Sequence, residues 1–328
     1  MREASVWQKI LARGFSSSDE LLKFLELPAS LAGKSAEKQF ATRVPRGFAA
    51  RMQAGNQHDP LLLQVLASAE EMQVDSSYVV DPLDEAKSNS IPGLMHKYQG
   101  RVLLTLTGAC AINCRYCFRR HFPYQDNNPG RNGWQTALEY IRRDESIHEI
   151  ILSGGDPLLA ADTVLADLIS QLASIEHVRT LRLHTRIPIV LPERINQSLL
   201  AILEATPLRK VIVFHCNHAQ EINQQVKDIC IALRDSGCHL LNQSVLLKGV
   251  NDSVQTLVNL SESLFDCGVL PYYLHVLDKV AGAAHFDLPT EKALGIYQQL
   301  QARLPGYLLP RLAREEPGKS SKTLLYPL

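Results

Sequence analysis

The chain is short of net charge, of long apolar runs and of cysteine, and each shortage removes a class of protein. Its 34 Lys and Arg balance 34 Asp and Glu, so no net field gathers nucleic acid or lipid headgroups. No apolar run approaches the roughly 20 residues that cross a bilayer. The N-terminus, MREASVWQKILARGF, is charged where a secretory signal would carry its apolar core. Seven cysteines in 328 residues are too few, and odd in number, for a disulfide scaffold. The expected compartment is therefore the reducing cytoplasm, with no membrane and no nucleic-acid partner. Repeats, low-complexity tracts and charged tails are also missing. With 45% apolar residues, the length supports one large domain with an appendage and a sizeable core.

Three of the seven cysteines are grouped: Cys110, Cys114 and Cys117, in CAINCRYCFRRHF after the apolar run Val102 to Leu106. An ordinary iron–sulfur cluster takes four thiolates. Three ligands leave one iron open to an exogenous ligand, and an open position distinguishes catalytic metal sites from closed structural ones. Two alternatives stand beside this. A zinc ion would use C-x2-C and needs a fourth ligand, for which His121 is near. Buried thiols can also simply pack, but Arg115, Arg119 and Arg120 make this a polar loop. The C-x3-C-x2-C spacing resembles the radical S-adenosylmethionine (SAM) superfamily, in which the open iron of a [4Fe–4S] cluster chelates the amino and carboxylate groups of SAM. Cys216, Cys230, Cys238 and Cys267 show no ligand spacing and are expected to be structural.

Residues 1–95 read as helical and irregular. Ser17-Ser18-Asp19-Glu20 has the form of a capping box. Asp59-Pro60 opens a helix over LLLQVLASAEEM. Asp81-Pro82 and Ser90-Ile91-Pro92-Gly93 punctuate a linker. From residue 101 strands alternate with helices. Strands are expected at 102–107, 148–153, 179–185, 211–215, 239–246 and 270–276. Helices are expected near 133–143, 162–174, 196–204, 219–235, 254–265 and 290–303. Such alternation implies parallel βαβ units, an α/β fold. Six units suggest a partial (β/α)6 barrel, with a doubly wound open sheet as the alternative. The chemically interesting residues cluster at strand ends, where barrel enzymes build their sites. The expected division is 1–95 N-terminal helical region, 96–290 partial barrel and 291–328 C-terminal segment.

Ser153-Gly154-Gly155-Asp156-Pro157 follows EIIL, and two glycines allow close approach to the backbone. An ordinary strand-to-helix turn is the alternative. The segment resembles the glycine-rich stretch with which radical SAM enzymes hold the methionine amino group. HTRIPIVLPERI (184–195), FHCNHAQE (214–221), LNQSVLLKGVND (241–252) and PYYLHVLDK (271–279) extend the likeness. They resemble the lysine 2,3-aminomutase family, from about Ile91 to the C-terminus. CRYCFRRHFPY and LAREEPGKSSKT are most similar to its elongation factor P branch.

The resemblance implies an isomerase with a second cofactor, pyridoxal 5′-phosphate (PLP), carried covalently on a lysine. Lys322 in PGKSSKT matches the family Lys-Thr, with Lys319 as the internal competitor. Gly318-Lys319-Ser320 is no P-loop, because Ala313 stands where that motif needs glycine. Lys97, Tyr98 and Arg101 are implied around the PLP, with the cations near its phosphate. Arg119 matches the arginine that takes the substrate carboxylate, which a planar guanidinium can pair bidentately. Asp278 and Glu315 match the two acids for the ε-ammonium. Glu315 stands where better-known members have aspartate, a change of one methylene. His215 and Gln243 align with residues near SAM. Ser253 follows Gly249-Val250-Asn251-Asp252 where clostridial members carry a zinc-binding cysteine, so that zinc site is not expected.

The implied activity is conversion of L-lysine to (R)-β-lysine, driven by an external electron donor. A functional link to elongation factor P and its lysyl ligase is implied, and a homo-oligomer is possible. One rival is an aminomutase supplying free β-lysine to another pathway. The other, of a different class, is a non-catalytic iron–sulfur or zinc protein.

Overall fold

The apolar runs become strands because each is bounded by turns and followed by a helix that packs back onto the sheet. The computed structural model describes residues 5–89, 91–124, 127 and 130–327; Ser90 of the expected linker lies outside them. One nine-stranded sheet runs in the order β1-β2-β3-β4-β5-β6-β7-β8-β9. The six expected strands appear within two residues of their predicted bounds. They are β2 (Arg101–Thr107), β3 (Glu149–Gly154), β4 (Thr180–Thr185), β5 (Arg209–His215), β6 (Cys238–Val245) and β7 (Leu270–His275). Each pairs in parallel with the next. Strand order follows sequence order without the reversal of a doubly wound sheet. The sheet is an open barrel arc.

Three strands lie beyond the expected six. β1 (Leu94–Tyr98) is antiparallel to β2, β8 (Arg311–Arg314) extends the parallel run beyond β7, and β9 (Thr323–Leu324) is antiparallel to β8. Their sequences, LMHKY, RLAR and TL, are too short or too charged to show an apolar run.

The crossing helices are Gly130–Arg143, Asp162–Ala173, Gln197–Ala205, Gln224–Asp235, Val254–Asp266 and Thr290–Arg303. Side-chain oxygens of Asn196, Asn223 and Ser253 cap three of them, accepting from the amides of Leu199, Val226 and Thr256 at 3.0, 3.0 and 3.2 Å. Ser253 thus has a local structural task. Gly237 and Gly268, at φ +77° and +71°, turn two helix ends into β6 and β7.

The N-terminal region shares the main apolar core: Trp7, Phe15, Leu21 and Phe48 pack in one cluster with strand and helix residues. Ser17 caps the helix Ser18–Phe24, accepting from the Glu20 amide, but the Glu20 carboxylate reaches the Ser16 amide instead of closing the box. Asp59 caps Pro60–Leu63 by accepting from the Leu61 and Leu62 amides. The expected longer helix stops there, and only a 3-10 turn, Ala69–Met72, follows. The reason is tertiary: the Gln64 carbonyl accepts from the Arg115 amide at 2.9 Å, and the Gln64 side chain enters a buried network.

Candidate active site

The parallel strands and the loops after them surround a cavity of about 590 Å³; the three grouped cysteines, Lys322 and the other expected cofactor and substrate residues line it, while the alternatives His121 and Lys319 do not. At one end β2 runs into the cysteine loop. Cys110, Cys114 and Cys117 are free and partly accessible. Burial, then the charge of the other thiols, pushes Cys110 up and Cys117 to about 11. A bound cation of high charge would reverse this by deprotonating them outright. Among the described residues no three His, Cys, Asp or Glu side chains are grouped to hold a single metal ion. His121, the candidate fourth zinc ligand, contacts the Ala281 carbonyl through Nε2 at 3.2 Å. Three thiols with no fourth ligand among the described residues suit an iron–sulfur cluster with an open position, which Cys110, Cys114 and Cys117 would hold.

The N-terminal region clamps this loop. Arg43 donates to the Cys110 carbonyl at 3.0 Å, and the Asn113 amide donates to the Arg43 carbonyl at 3.0 Å. Arg115, fully buried, places Nε and Nη2 on the Glu71 carboxylate at 2.8 and 2.6 Å and donates to the Phe40 carbonyl at 2.6 Å. Arg120 joins the same carboxylate at 2.7 Å. Burial alone would raise Glu71; Arg115 and Arg120 hold it below the usual carboxylate range.

The Ser153–Asp156 turn lies against the cysteine loop. Gly154 has φ +116°, and a Cβ on Gly155 would sit 2.3 Å from the Ala109 carbonyl oxygen. These glycines therefore let two backbone segments meet: the Gly155 amide donates to the Thr107 carbonyl at 2.7 Å and the Asp156 amide to that of Ala109 at 2.8 Å. The buried Asp156 carboxylate accepts from Thr185 Oγ1 and from the amides of Arg186, Ile187 and Leu158. Burial still pushes it up to about 6.

Behind the cysteines lies a network that no motif had assigned. Arg186, the residue directly after β4, donates Nη1 to Cys114 Sγ at 2.7 Å and to the Tyr116 hydroxyl at 2.8 Å. Its Nη2 donates to Gln64 and Glu221 at 2.7 and 3.0 Å. The Tyr116 hydroxyl is 3.0 Å from His215 Nε2, and burial pulls His215 down to about 3, leaving it neutral.

The opposite end is charged. Lys322 donates to Glu315 Oε2 at 2.5 Å and lies 5.8 Å from the Tyr273 ring centre. Glu315 Oε1 is 3.6 Å from Lys97, which is 3.6 Å from Glu85 Oε1. Glu85 accepts from Arg119 Nε and Nη2, both at 2.8 Å. Charges thus alternate from Lys322 through Glu315, Lys97 and Glu85 to Arg119. Burial opposes ionisation of both acids, but Arg119 holds Glu85 below the usual range and Lys322 draws Glu315 down to about 2. Asp278 is pushed up to about 7 by burial and then by the Glu315 charge. Arg101 stacks on the Tyr98 ring at 4.7 Å. His184 is also in the wall, and its Nε2 is buried without a hydrogen-bond partner. Lys319 is exposed and outside the cavity wall.

Sequence reasoning missed Glu85, Arg186, Tyr116 and His184. Arg186 and His184 lie inside HTRIP and Tyr116 inside CRYC, so the motifs held them without naming a role. Glu85 carried no signal.

Residues 104–260 match the radical SAM superfamily. The L-lysine 2,3-aminomutase of Escherichia coli (strain K12) is 50% identical over 322 residues, 97% of this chain and 94% of that protein. That of Haemophilus influenzae is 47% identical, over 99% of this chain and 96% of the relative. That of Clostridium subterminale is 33% identical, over 98% of this chain and 78% of the relative. With relatives this similar over nearly its whole length, and three thiols and the Lys322 end lining one cavity, the chain belongs to the lysine 2,3-aminomutase family of radical SAM enzymes, an isomerase family.

Proposed function

We propose that the protein converts L-lysine to (R)-β-lysine with PLP as second cofactor, and that the product modifies elongation factor P through a lysyl ligase. The observation that carries this reading is a single cavity with cluster-type thiols at one end and a lysine amine among acids and cations at the other. Cys110, Cys114 and Cys117 would hold the [4Fe–4S] cluster, with SAM beside Ser153–Asp156, His215 and Gln243. Lys322 would carry PLP, with Lys97, Tyr98 and Arg101 toward its phosphate. When bound, the reduced cluster and SAM supply a hydrogen-abstracting carbon radical, and PLP supplies the π-system that lets nitrogen move from Cα to Cβ.

The chain's own residues bind, orient and exclude water. Arg119 takes the substrate carboxylate, and Asp278 with Glu315 takes the ε-ammonium, fixing both ends of lysine so that the Cβ hydrogen is the one presented. Apolar walls from Met95, Ile151 and Leu277 keep water from the reacting carbons. The division into a helical region, a barrel and a PLP segment is part of this reading. An external electron donor is required, and the cytoplasm would supply it; no helix among the described residues is long and apolar enough to cross a membrane.

The test is an anaerobic assay of reconstituted protein with L-lysine, SAM, PLP and a strong reductant, followed by chiral analysis. We expect (R)-β-lysine, and its transfer to elongation factor P when the ligase is added. The (S) product would point to a free β-lysine pathway. No β-lysine from protein with intact cluster and bound PLP would remove lysine as the substrate.

A further inference from the structure

Arg119 directs most of its donors at protein groups, and its main partner, Glu85, precedes the first strand of the sheet. A guanidinium has five N–H donors. Glu85 takes Nε and one Nη2 hydrogen, while Nη1 faces Ser153 Oγ at 3.1 Å and the Gly154 carbonyl at 3.5 Å. One donor remains, so a bidentate pair with a second carboxylate requires one of these partners to leave. Glu85 already has the geometry of an amino-acid carboxylate on that edge.

We infer that Glu85 is a self-ligand of Arg119, displaced by the carboxylate of the incoming substrate, so that only amines bearing a carboxylate are admitted. The inference rests on the reading of Arg119 as the carboxylate residue. A buried arginine without a counter-charge would be costly, and one carboxylate replacing another keeps Arg119 paired throughout. An amine without a carboxylate offers no such exchange.

The chain around Glu85 suits this movement. Residues 78 and 79 are pinned: the Tyr78 hydroxyl donates to Asp287 at 2.6 Å, the Val79 amide donates to the Lys279 carbonyl, and the Ala281 amide donates to that of Val79, both at 2.9 Å. Leu83 enters the wall, and its carbonyl accepts from Lys97 at 3.4 Å. Asp84 then takes φ +51°, a left-handed turn immediately before Glu85 and its single helical turn. The Glu85 amide is held by Asp81 Oδ1 at 3.0 Å, so release of Arg119 needs only rotation of the Glu85 side chain while its backbone stays in place. Lys97 lies 3.6 Å from the Glu85 carboxylate.

A permanent brace would behave oppositely, because removing it would loosen Arg119 and weaken substrate binding. The experiment is equilibrium dialysis of radiolabelled L-lysine against cluster- and PLP-loaded protein without SAM, so that no turnover occurs. Wild type, Glu85→Gln, Glu85→Ala and Arg119→Ala are compared. We expect both Glu85 variants to bind lysine about tenfold tighter, with no gain for 1,5-diaminopentane, and Arg119→Ala to bind lysine more weakly. Glu85→Gln keeps the side-chain volume and tests the idea if the alanine variant folds poorly. Unchanged or weaker lysine binding in the Glu85 variants, with Arg119→Ala impaired, overturns the self-ligand alone. An equal gain for the diamine also overturns it. Wild-type affinity in Arg119→Ala overturns it through the reading beneath it.

Discussion

The Lys322 amine and the Glu315 carboxylate meet at 2.5 Å because β8 and β9 form an antiparallel hairpin. Arg314 pairs with Thr323, so Glu315 and Lys322 are the next positions outward on the two arms. The pairing delivers a lysine near the C-terminus into the cavity, where Glu315, Lys97 and the Tyr273 ring surround it.

This geometry sets the first prediction. PLP-loaded wild type should show visible absorbance that borohydride reduction fixes to the chain. Lys322→Ala should lose that absorbance, and Lys319→Ala should keep it. A normal spectrum in the Lys322 variant would move the attachment to Lys319.

What could be read from the sequence follows a physical divide. The six long parallel strands were legible because each is an apolar run bounded by turns. β1, β8 and β9 were not, since LMHKY, RLAR and TL owe their strand form to neighbours and not to their own pattern. Cys110, Cys114, Cys117 and Lys322 were legible because their chemistry leaves a spacing or a motif. Glu85 and Arg186 were not, since a buried ion pair forms between residues distant in sequence. The N-terminal region had no functional reading for the same reason: its grip on the cysteine loop runs through Glu71, Arg43 and backbone carbonyls, which leave no pattern.

That grip supports a stability prediction. Glu71 compensates both Arg115 and Arg120 in the interior. Glu71→Ala leaves two buried guanidinium groups short of a counter-ion and should cost about 3–5 kcal/mol. Denaturant midpoints measure the loss, and iron bound per chain after reconstitution should fall with it. Full iron loading in a destabilised variant would mean that the clamp serves the fold and not the cluster loop.

Glycine substitutions separate close approach from mere turn formation. At Gly155 a methyl group would lie 2.3 Å from the Ala109 carbonyl oxygen and 2.7 Å from the Gly108 carbonyl carbon, both backbone. Gly155→Ala should therefore cost about 1–3 kcal/mol and displace the cysteine loop, lowering iron content. Gly295, inside the helix Thr290–Arg303, has nothing within 4 Å of a built Cβ. Gly295→Ala should stabilise by about 0.5–1 kcal/mol and leave iron loading unchanged.

Asp278 gives binding and stability opposite pH dependences. Burial, then the Glu315 charge, raises its folded pKa to about 7 from an ordinary value of 3.8. The folded protein therefore holds this proton between about pH 4 and 7 where the unfolded chain has released it. The stability contributed by this group falls as pH rises through that window and is flat above it. Capture of the lysine ε-ammonium needs the ionised form, so substrate affinity should rise over the same window and level off above about pH 7. Below that point each unit of acid should weaken binding by up to about tenfold. Glu315, Lys322, Lys97 and Glu85 also face the site, so the slope belongs to Asp278 only if Asp278→Asn removes it. Equilibrium binding of L-lysine from pH 5.5 to 8.5, beside thermal melts over the same range, checks both slopes. A flat binding profile in wild type would take Asp278 out of ammonium recognition, whatever its contribution to stability.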